Sequence, residues 1–251
     1  MHYIVYDLEF NQDFSSFQGD LNSRNQYPFE IIQIGAIKLD INFKTVGSFN
    51  RLIKPAMYSR ISPFITKLTG LKTEQLLDEK SFPEVFTDFR DFIDDEKSVL
   101  CIWGMADIRE LYRNAFYHML DVKLIPKMYI NIQSSMAKYL GMSSKKLIKL
   151  QNAVESLKIP VTKEFHNALY DAFYTAEVFK RIFNPLIQPK VYNPNYIKVR
   201  PRKKKVEVDY DGLLKQFEKM YKRSMTKEEQ EIIRLAYIMG KTQQFVKNEK
   251  L

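Results

Sequence analysis

With a single cysteine, Cys101, among its 251 residues, the chain forms no intramolecular disulfide, and oxidative stapling is excluded as a source of its stability. That thiol stands inside the apolar run VLCIW, where a buried structural role is expected, and its company suits a reducing compartment. No apolar run approaches the roughly 18 residues that a bilayer-spanning helix needs. Nor does the N-terminal stretch carry the basic-then-apolar pattern of a secretory signal. The expectation is a soluble, cytoplasmic protein with no membrane partner. Internal repeats are absent too, which sets aside repeat architectures. What the chain does have is a hydrophobic fraction of 45%, enough for one large domain or for one of ordinary size with a small appendage.

Charge is distributed unevenly. Residues 1–189 hold 23 Lys/Arg against 22 Asp/Glu, whereas residues 190–251 hold 16 against 8, so nearly all of the net charge of +9 belongs to the C-terminal quarter. Such asymmetry favours a polyanionic partner, nucleic acid before an anionic surface, with a merely solvated tail as the bland alternative.

Periodicity orders the chain. A first strand is expected from Tyr3 to Phe10, followed by the aperiodic polar segment NQDFSSFQGDLNSRNQYP. FEIIQIGAIKLD and TVGSFNRLIKP then read as a hairpin joined around Asn42 to Lys44. Helical spacing appears in ISPFITKLTGL, with Gly70 as its stop, and in SFPEVFTDFRDFI. SVLCIWG reads as a buried strand. From Ala106 onward the pattern is mostly helical, through ADIRELYRNAFYHML, INIQSSMAKYLG, SKKLIKLQNAVESL and FHNALYDAFYTAEVFKRIF. The expected fold is α/β or α+β, a mixed central sheet flanked by helices. Residues 1–184 form this domain, residues 185–208 a basic, proline-containing linker that includes Arg200 to Lys205, and residues 209–251 a small helical appendage.

Two acids stand out against that background. Asp7 and Glu9, in YIVYDLEF, lie two apart on a strand and therefore share a face. Like charges brought together out of bulk water raise one another's pKa and destabilise the fold unless a divalent cation or strong donors neutralise them. Further acids follow apolar elements: Glu30 opens the second strand, and Asp107 comes three residues after Trp103-Gly104. Asp171 sits at the edge of a helical stripe made by Leu169, Ala172, Phe173, Ala176, Phe179 and Phe183, with His166 in or just before the first turn.

DLE at 7–9, WGMAD ending at Asp107, and HNALYD from His166 to Asp171 resemble, in order and spacing, the three motifs of the DEDDh exonuclease superfamily, which includes RNase T and proofreading exonucleases. The Trp-Gly before Asp107 is most similar to KapD-like proteins and histone-mRNA exonucleases. The resemblance covers about residues 1–184 and implies an RNase-H-like fold with attack at the 3′ end of single-stranded nucleic acid, releasing nucleoside 5′-monophosphates. It implies two Mg²⁺ ions per site, with Mn²⁺ able to substitute. Asp7 would bridge both ions, Glu9 and Asp171 would complete one position, and Asp107 would support the other. His166 would take the proton from the attacking water. Many members carry Thr or Ser directly after the first-motif glutamate or two positions after it, where this chain has Phe10-Asn11, a departure that bears on how the terminal sugar is held and not on metal binding; Leu8, Phe10 and Asn11 are the expected substrate contacts.

Each assignment has a plainer rival. Asp107 is also a residue suited to a helix start, His166 also a surface-loop histidine, and Leu8 and Phe10 also core residues. Trp103 is expected to be structural. Lys203, Lys204 and Lys205 either contact phosphates or are solvated. Two further readings remain, a polymerase-associated proofreading subunit docked through the C-terminal helices, and a catalytically silent nucleic-acid-binding module.

Overall fold

The computed structural model describes residues 1–12, 27–94, 97–123, 125–143, 145–194 and 208–241. It falls into two compact units, Met1–Tyr196 and Ile197–Leu251. Chain order in the first is β1 (Tyr3–Asn11), β2 (Glu30–Leu39), β3 (Thr45–Leu52), α1 (Pro63–Thr69), α2 (Thr73–Leu76), α3 (Phe82–Ile93), β4 (Val99–Ile102), α4 (Ala106–Tyr117), β5 (Met128–Asn131), α5 (Ile132–Tyr139), α6 (Leu150–Ser156), α7 (Ala168–Ile182) and β6 (Lys190–Val191). The strands form one mixed sheet ordered β3-β2-β1-β4-β5-β6. β1 pairs antiparallel with β2 and parallel with β4, so the C-terminal ends of β1 and β4 emerge side by side.

Alternation along β1 splits the core into two layers. Tyr3 and Val5 face a cluster built with Ala137, Val154, Tyr174, Val178, Phe179 and Ile182, which places α5, α6 and α7 on one side of the sheet. Ile4, Tyr6 and Leu8 face the other, against Val85, Phe89, Ile108 and Leu111 of α3 and α4. Burying an aliphatic or aromatic side chain of this kind contributes about 1.5–3 kcal/mol, so the two layers fix α4 and α7 on opposite faces. Their N-terminal ends flank the C-terminal end of β1.

Several boundaries differ from the sequence reading. Met128–Asn131 is a strand, parallel to β4, and runs straight into α5 because the Asn131 side chain accepts the Ser134 N–H at 3.0 Å and caps the helix as the strand ends. Only Leu150–Ser156 of SKKLIKLQNAVESL is helical. The first unit continues past residue 184, since Lys190–Val191 adds β6 to the edge of β5 and the Tyr192 ring packs 5.0 Å from that of Tyr112. Residues 185–208, read from the sequence as a linker, thus include the short strand β6. Their Arg200 to Lys205 run, including Lys203, Lys204 and Lys205, lies outside the described residues.

In the second unit, α8 (Tyr210–Tyr221) and α9 (Lys227–Lys241) form the expected helical pair. Asp209 caps α8 through the Gly212 N–H at 2.7 Å. Among the described residues no helix is long and apolar enough to cross a membrane.

Candidate active site

The end of β1 brings its two acids to the face covered by α7. Ligand oxygens of Asp7, Glu9 and Asp171 lie within 4.8 Å of one another. Asp7 and Asp171 are half-buried, Glu9 is buried, and Asp171 Oδ1 is enclosed with no hydrogen-bond partner among the described residues. An enclosed anionic oxygen with nothing to accept from is what a hard cation would satisfy, and an all-oxygen cluster is the donor set that Mg²⁺ or Mn²⁺ prefers. Asp107, in the first turn of α4, stands outside the three but close enough to repel them. It is buried, and its carboxylate accepts its own backbone N–H.

Two glycines make this convergence possible. Gly35 pairs with Asp7 across β1 and β2, and a Cβ there would stand 2.1 Å from both the carbonyl carbon of Ala168 and the backbone nitrogen of Leu169. The first turn of α7 thus rests directly on the β2 backbone. Gly104, at φ +97, turns the chain from β4 towards α4 in a conformation that side chains resist, and its neighbour Trp103 donates Nε1–H to the Ile148 carbonyl at 3.1 Å.

Gln33 completes the seat of α7. Its Oε1 accepts the buried Ala168 N–H at 3.2 Å, and its Nε2 donates to Asn50 Oδ1 at 2.9 Å. Asn167 caps the helix through Leu169 N–H and Tyr170 N–H. The exposed His166 precedes this cap at φ +65, and its backbone N–H donates to Asp171 Oδ2 at 3.2 Å. Sequence reasoning passed over Gln33 and Gly35. A glycine and an amide inside the otherwise apolar EIIQIGAI were the available signal, because glycine within a strand marks a close backbone approach.

The three residues expected to hold a nucleotide have different surroundings. Leu8 is 3% exposed and belongs to the core face opposite the acids, so its side chain is removed from that role. Asn11 is fully buried, and its amide is committed to Arg60 O and Ser62 N–H, each at 3.0 Å. Together with Glu30, whose carboxylate accepts the N–H groups of Ala56, Met57 and Tyr58, it fastens the segment leading into α1. Phe10 is half-buried and leans on Phe29 with ring centroids 5.7 Å apart.

Electrostatics at the cluster are strained in the way that an ion would relieve. Desolvation pushes the Asp7 carboxyl well above the usual range, and the carboxylates of Asp107, Asp171 and Glu9 push it further. Burial, then Asp171 and Asp107, raise Glu9 to about 8. Burial raises Asp107 to about 7 against the pull of its own N–H and of Arg109, and raises Asp171 to about 6 against the His166 N–H. Between the ordinary carboxylate range and its own raised value, each of the four holds a proton in the folded state that the unfolded chain releases. Their stability contribution is therefore intact below the ordinary carboxylate range and is lost as pH rises through about 6, 7 and 8. Held in EDTA, the protein is expected to melt at falling temperature between about pH 5 and pH 9, and Mg²⁺ to raise Tm more at about pH 8 than at about pH 6. A metal response independent of pH would contradict this electrostatic picture.

Residues 4–179 match the RNase T family, described as exonuclease. Among curated proteins, the PolC-type DNA polymerase III of Caldanaerobacter subterraneus subsp. tengcongensis is 27% identical over 157 residues, covering 62% of this chain and 10% of the polymerase. That of Thermotoga maritima is 30% identical over 157 residues, covering 61% and 10%. This chain spans about a tenth of the length of these relatives. Among solved structures, a 3′-exonuclease engaged in 3′-end recognition of a histone mRNA stem-loop superposes with a TM-score of 0.63 at 18% identity, covering 76% of this chain and 84% of that one. The nuclease domain of 3′hExo, a DEDDh family member bound to rAMP, gives 0.62 at 18% identity over 76% and 96%. Pop2p of S. pombe, in a Mg²⁺- and Mn²⁺-bound form, gives 0.52 at 18% identity over 72% and 82%. The shared architecture is the RNase-H-like fold, and with the family match spanning more than half of the sequence, this chain belongs to the RNase T family of exonucleases.

Proposed function

We propose that the protein is a metal-dependent 3′-to-5′ exonuclease that hydrolyses phosphodiester bonds at single-stranded nucleic-acid ends and releases nucleoside 5′-monophosphates. The observation that carries this reading is the convergence of Asp7, Glu9 and Asp171 around an enclosed, unpartnered carboxylate oxygen, with Asp107 close by and His166 tied to Asp171. Asp7, Glu9 and Asp171 would hold one divalent ion, and Asp7 with Asp107 a second. Bound there, the ions would polarise the scissile phosphate and stabilise the leaving oxygen. His166, exposed at the lip of the site, accepts the proton of the attacking water. Its backbone N–H, donating to Asp171 Oδ2, ties this residue to the cluster. Phe10, with part of its ring accessible, is the remaining candidate for a nucleotide contact among the three expected. The exposed Lys145, Lys146 and Lys149 lie around Ile148, whose carbonyl accepts from Trp103 and Gln133, and they would suit the phosphates of a bound strand.

A time course on 5′-labelled single-stranded RNA and DNA oligonucleotides, with Mg²⁺, Mn²⁺ or EDTA, tests the reading. A ladder shortening from the 3′ end, abolished by EDTA, is expected. Binding without shortening in Mg²⁺ and in Mn²⁺ would instead indicate a silent binding module. His166→Ala is expected to lower kcat about 10²-fold with an unchanged melting curve, as measured by single-turnover cleavage.

The polymerase relatives favour one second reading, in which this domain proofreads for a polymerase that docks elsewhere on the protein. Copurification with a polymerase, together with preferential removal of mismatched 3′ ends on duplex primers, would distinguish it from a free-standing nuclease.

A further inference from the structure

His166 is exposed, yet its backbone sits at φ +65, a left-handed conformation that side-chain-bearing residues adopt sparingly. A segment entering such a conformation needs holding from outside. The hold comes from α7 itself, one turn beyond Asp171. Tyr174 is fully buried, and its hydroxyl accepts the N–H groups of Thr162 at 2.9 Å and Lys163 at 2.7 Å while donating to the Lys163 carbonyl at 2.9 Å. One oxygen thus satisfies three backbone groups of the segment that leads to His166, and uses the full capacity of a phenol. The Tyr174 ring also stacks on Phe165, the residue immediately before His166, with centroids 4.9 Å apart and planes 29° from parallel. A third fastening comes from Lys163, whose ammonium lies 4.7 Å above the centre of the Tyr170 ring and 5.7 Å from that of Phe173, both on α7.

We propose that Tyr174 is a positioning residue for proton transfer: its buried hydroxyl pins residues 162–163 to α7 and its ring carries Phe165, so that His166, whose backbone N–H donates to Asp171, is held in one place beside the ligand cluster. The inference rests on the reading of His166 as the proton acceptor. A core tyrosine kept only for packing would not need its oxygen enclosed by three main-chain groups from a segment 11 or 12 residues away. Because Asp171 and Tyr174 share one helix, the ligand cluster and the proton acceptor are referenced to the same rigid element.

Tyr174→Phe removes the hydroxyl and keeps the ring. It is expected to lower kcat about tenfold, with KM and the Mg²⁺ concentration for half-maximal activity unchanged, since Asp7, Glu9 and Asp171 are carried by β1 and α7 rather than by the segment holding residues 162–163. The decisive comparison is the same substitution in a His166→Ala background, measured as single-turnover cleavage with enzyme in excess. There Tyr174→Phe should lower the residual rate no further, because the group it positions is gone. An equal fall in both backgrounds, or wild-type kcat in the single variant, would overturn the proposal. If instead His166→Ala alone retained the wild-type rate, the failure would lie in the assignment of His166. Should Tyr174→Phe not fold, Phe165→Ala, which leaves the hydroxyl in place, carries the same two-background test and the same outcomes.

Discussion

Asp7→Asn is expected to lower turnover about 10⁴-fold, or about 5.5 kcal/mol of transition-state stabilisation, while making the metal-free protein more stable. The two effects share one cause. Asp7 stands opposite Gly35 in the sheet, under the first turn of α7, and is the carboxylate on which Asp107, Asp171 and Glu9 all act. Its charge is an asset only when a cation is present. Asparagine keeps the shape and one carbonyl oxygen but surrenders the anionic oxygen that both metal positions would use, so ion affinity falls and catalysis with it. Without metal, the same change removes the carboxyl on which burial and the charges of Asp107, Asp171 and Glu9 act together. Thermal melts in EDTA at about pH 8 should therefore show a higher Tm for Asp7→Asn than for the parent chain, and a flatter dependence on pH. The rise in Tm on adding Mg²⁺ should shrink towards zero. A variant that kept both wild-type turnover and the wild-type metal response would remove Asp7 from the site altogether.

The elements that carry the acids were legible because each rests on a local pattern. Tyr3–Asn11 alternates, its i and i+2 acids share a face, and α7 shows an apolar stripe with Asp171 at its margin. What stayed hidden depends on contacts between segments far apart in sequence. Nothing local to Gln33 reveals that its amide receives the N–H of Ala168, 135 residues away. Asn11 reads as a polar residue beside a motif, and only the fold shows its amide committed to residues 60 and 62. Leu8 follows from alternation alone, since a residue between two same-face acids must point to the opposite layer. β5 escaped because Met128–Asn131 is short and merges with α5 at a shared Asn131, leaving no turn residues to announce the change. Ahead of α6 the lysine-rich KKLIK, residues 145–149, has helical composition, but its Ile148 carbonyl accepts from Trp103 and Gln133 instead of from a helix turn.

Gly35→Ala should be the most damaging change outside the acids, lowering stability by about 3 kcal/mol, or Tm by about 10 °C, and activity about 10²-fold in whatever fraction stays folded. One methyl group does this because of where it would go. The Cβ would point into main chain, at Ala168 and Leu169, and not into a side chain that can swing away. Relief requires α7 to lift from β2. That movement breaks the Gln33 contact to Ala168 N–H and stretches the cap at Asn167. It also carries Asp171 away from Asp7 and Glu9, which stand on the strand beneath. The three converging carboxylates come from one strand and one helix, so a displacement of that helix by a fraction of a side-chain diameter is felt directly in the spacing of their oxygens. Metal affinity separates this account from simple unfolding: in Gly35→Ala held well below its melting temperature, the Mg²⁺ concentration needed for half-maximal cleavage should rise several-fold, whereas a variant that had only lost core packing would keep the parental value. Gly47, in the neighbouring strand β3, provides the control, because a Cβ there would meet side chains and not main chain, the Phe92 ring at 3.2 Å and Lys38 Cβ at 3.8 Å. Gly47→Ala is expected to leave both metal dependence and turnover near those of the parent chain, and an effect there as large as at Gly35 would refute the role given to the α7 contact.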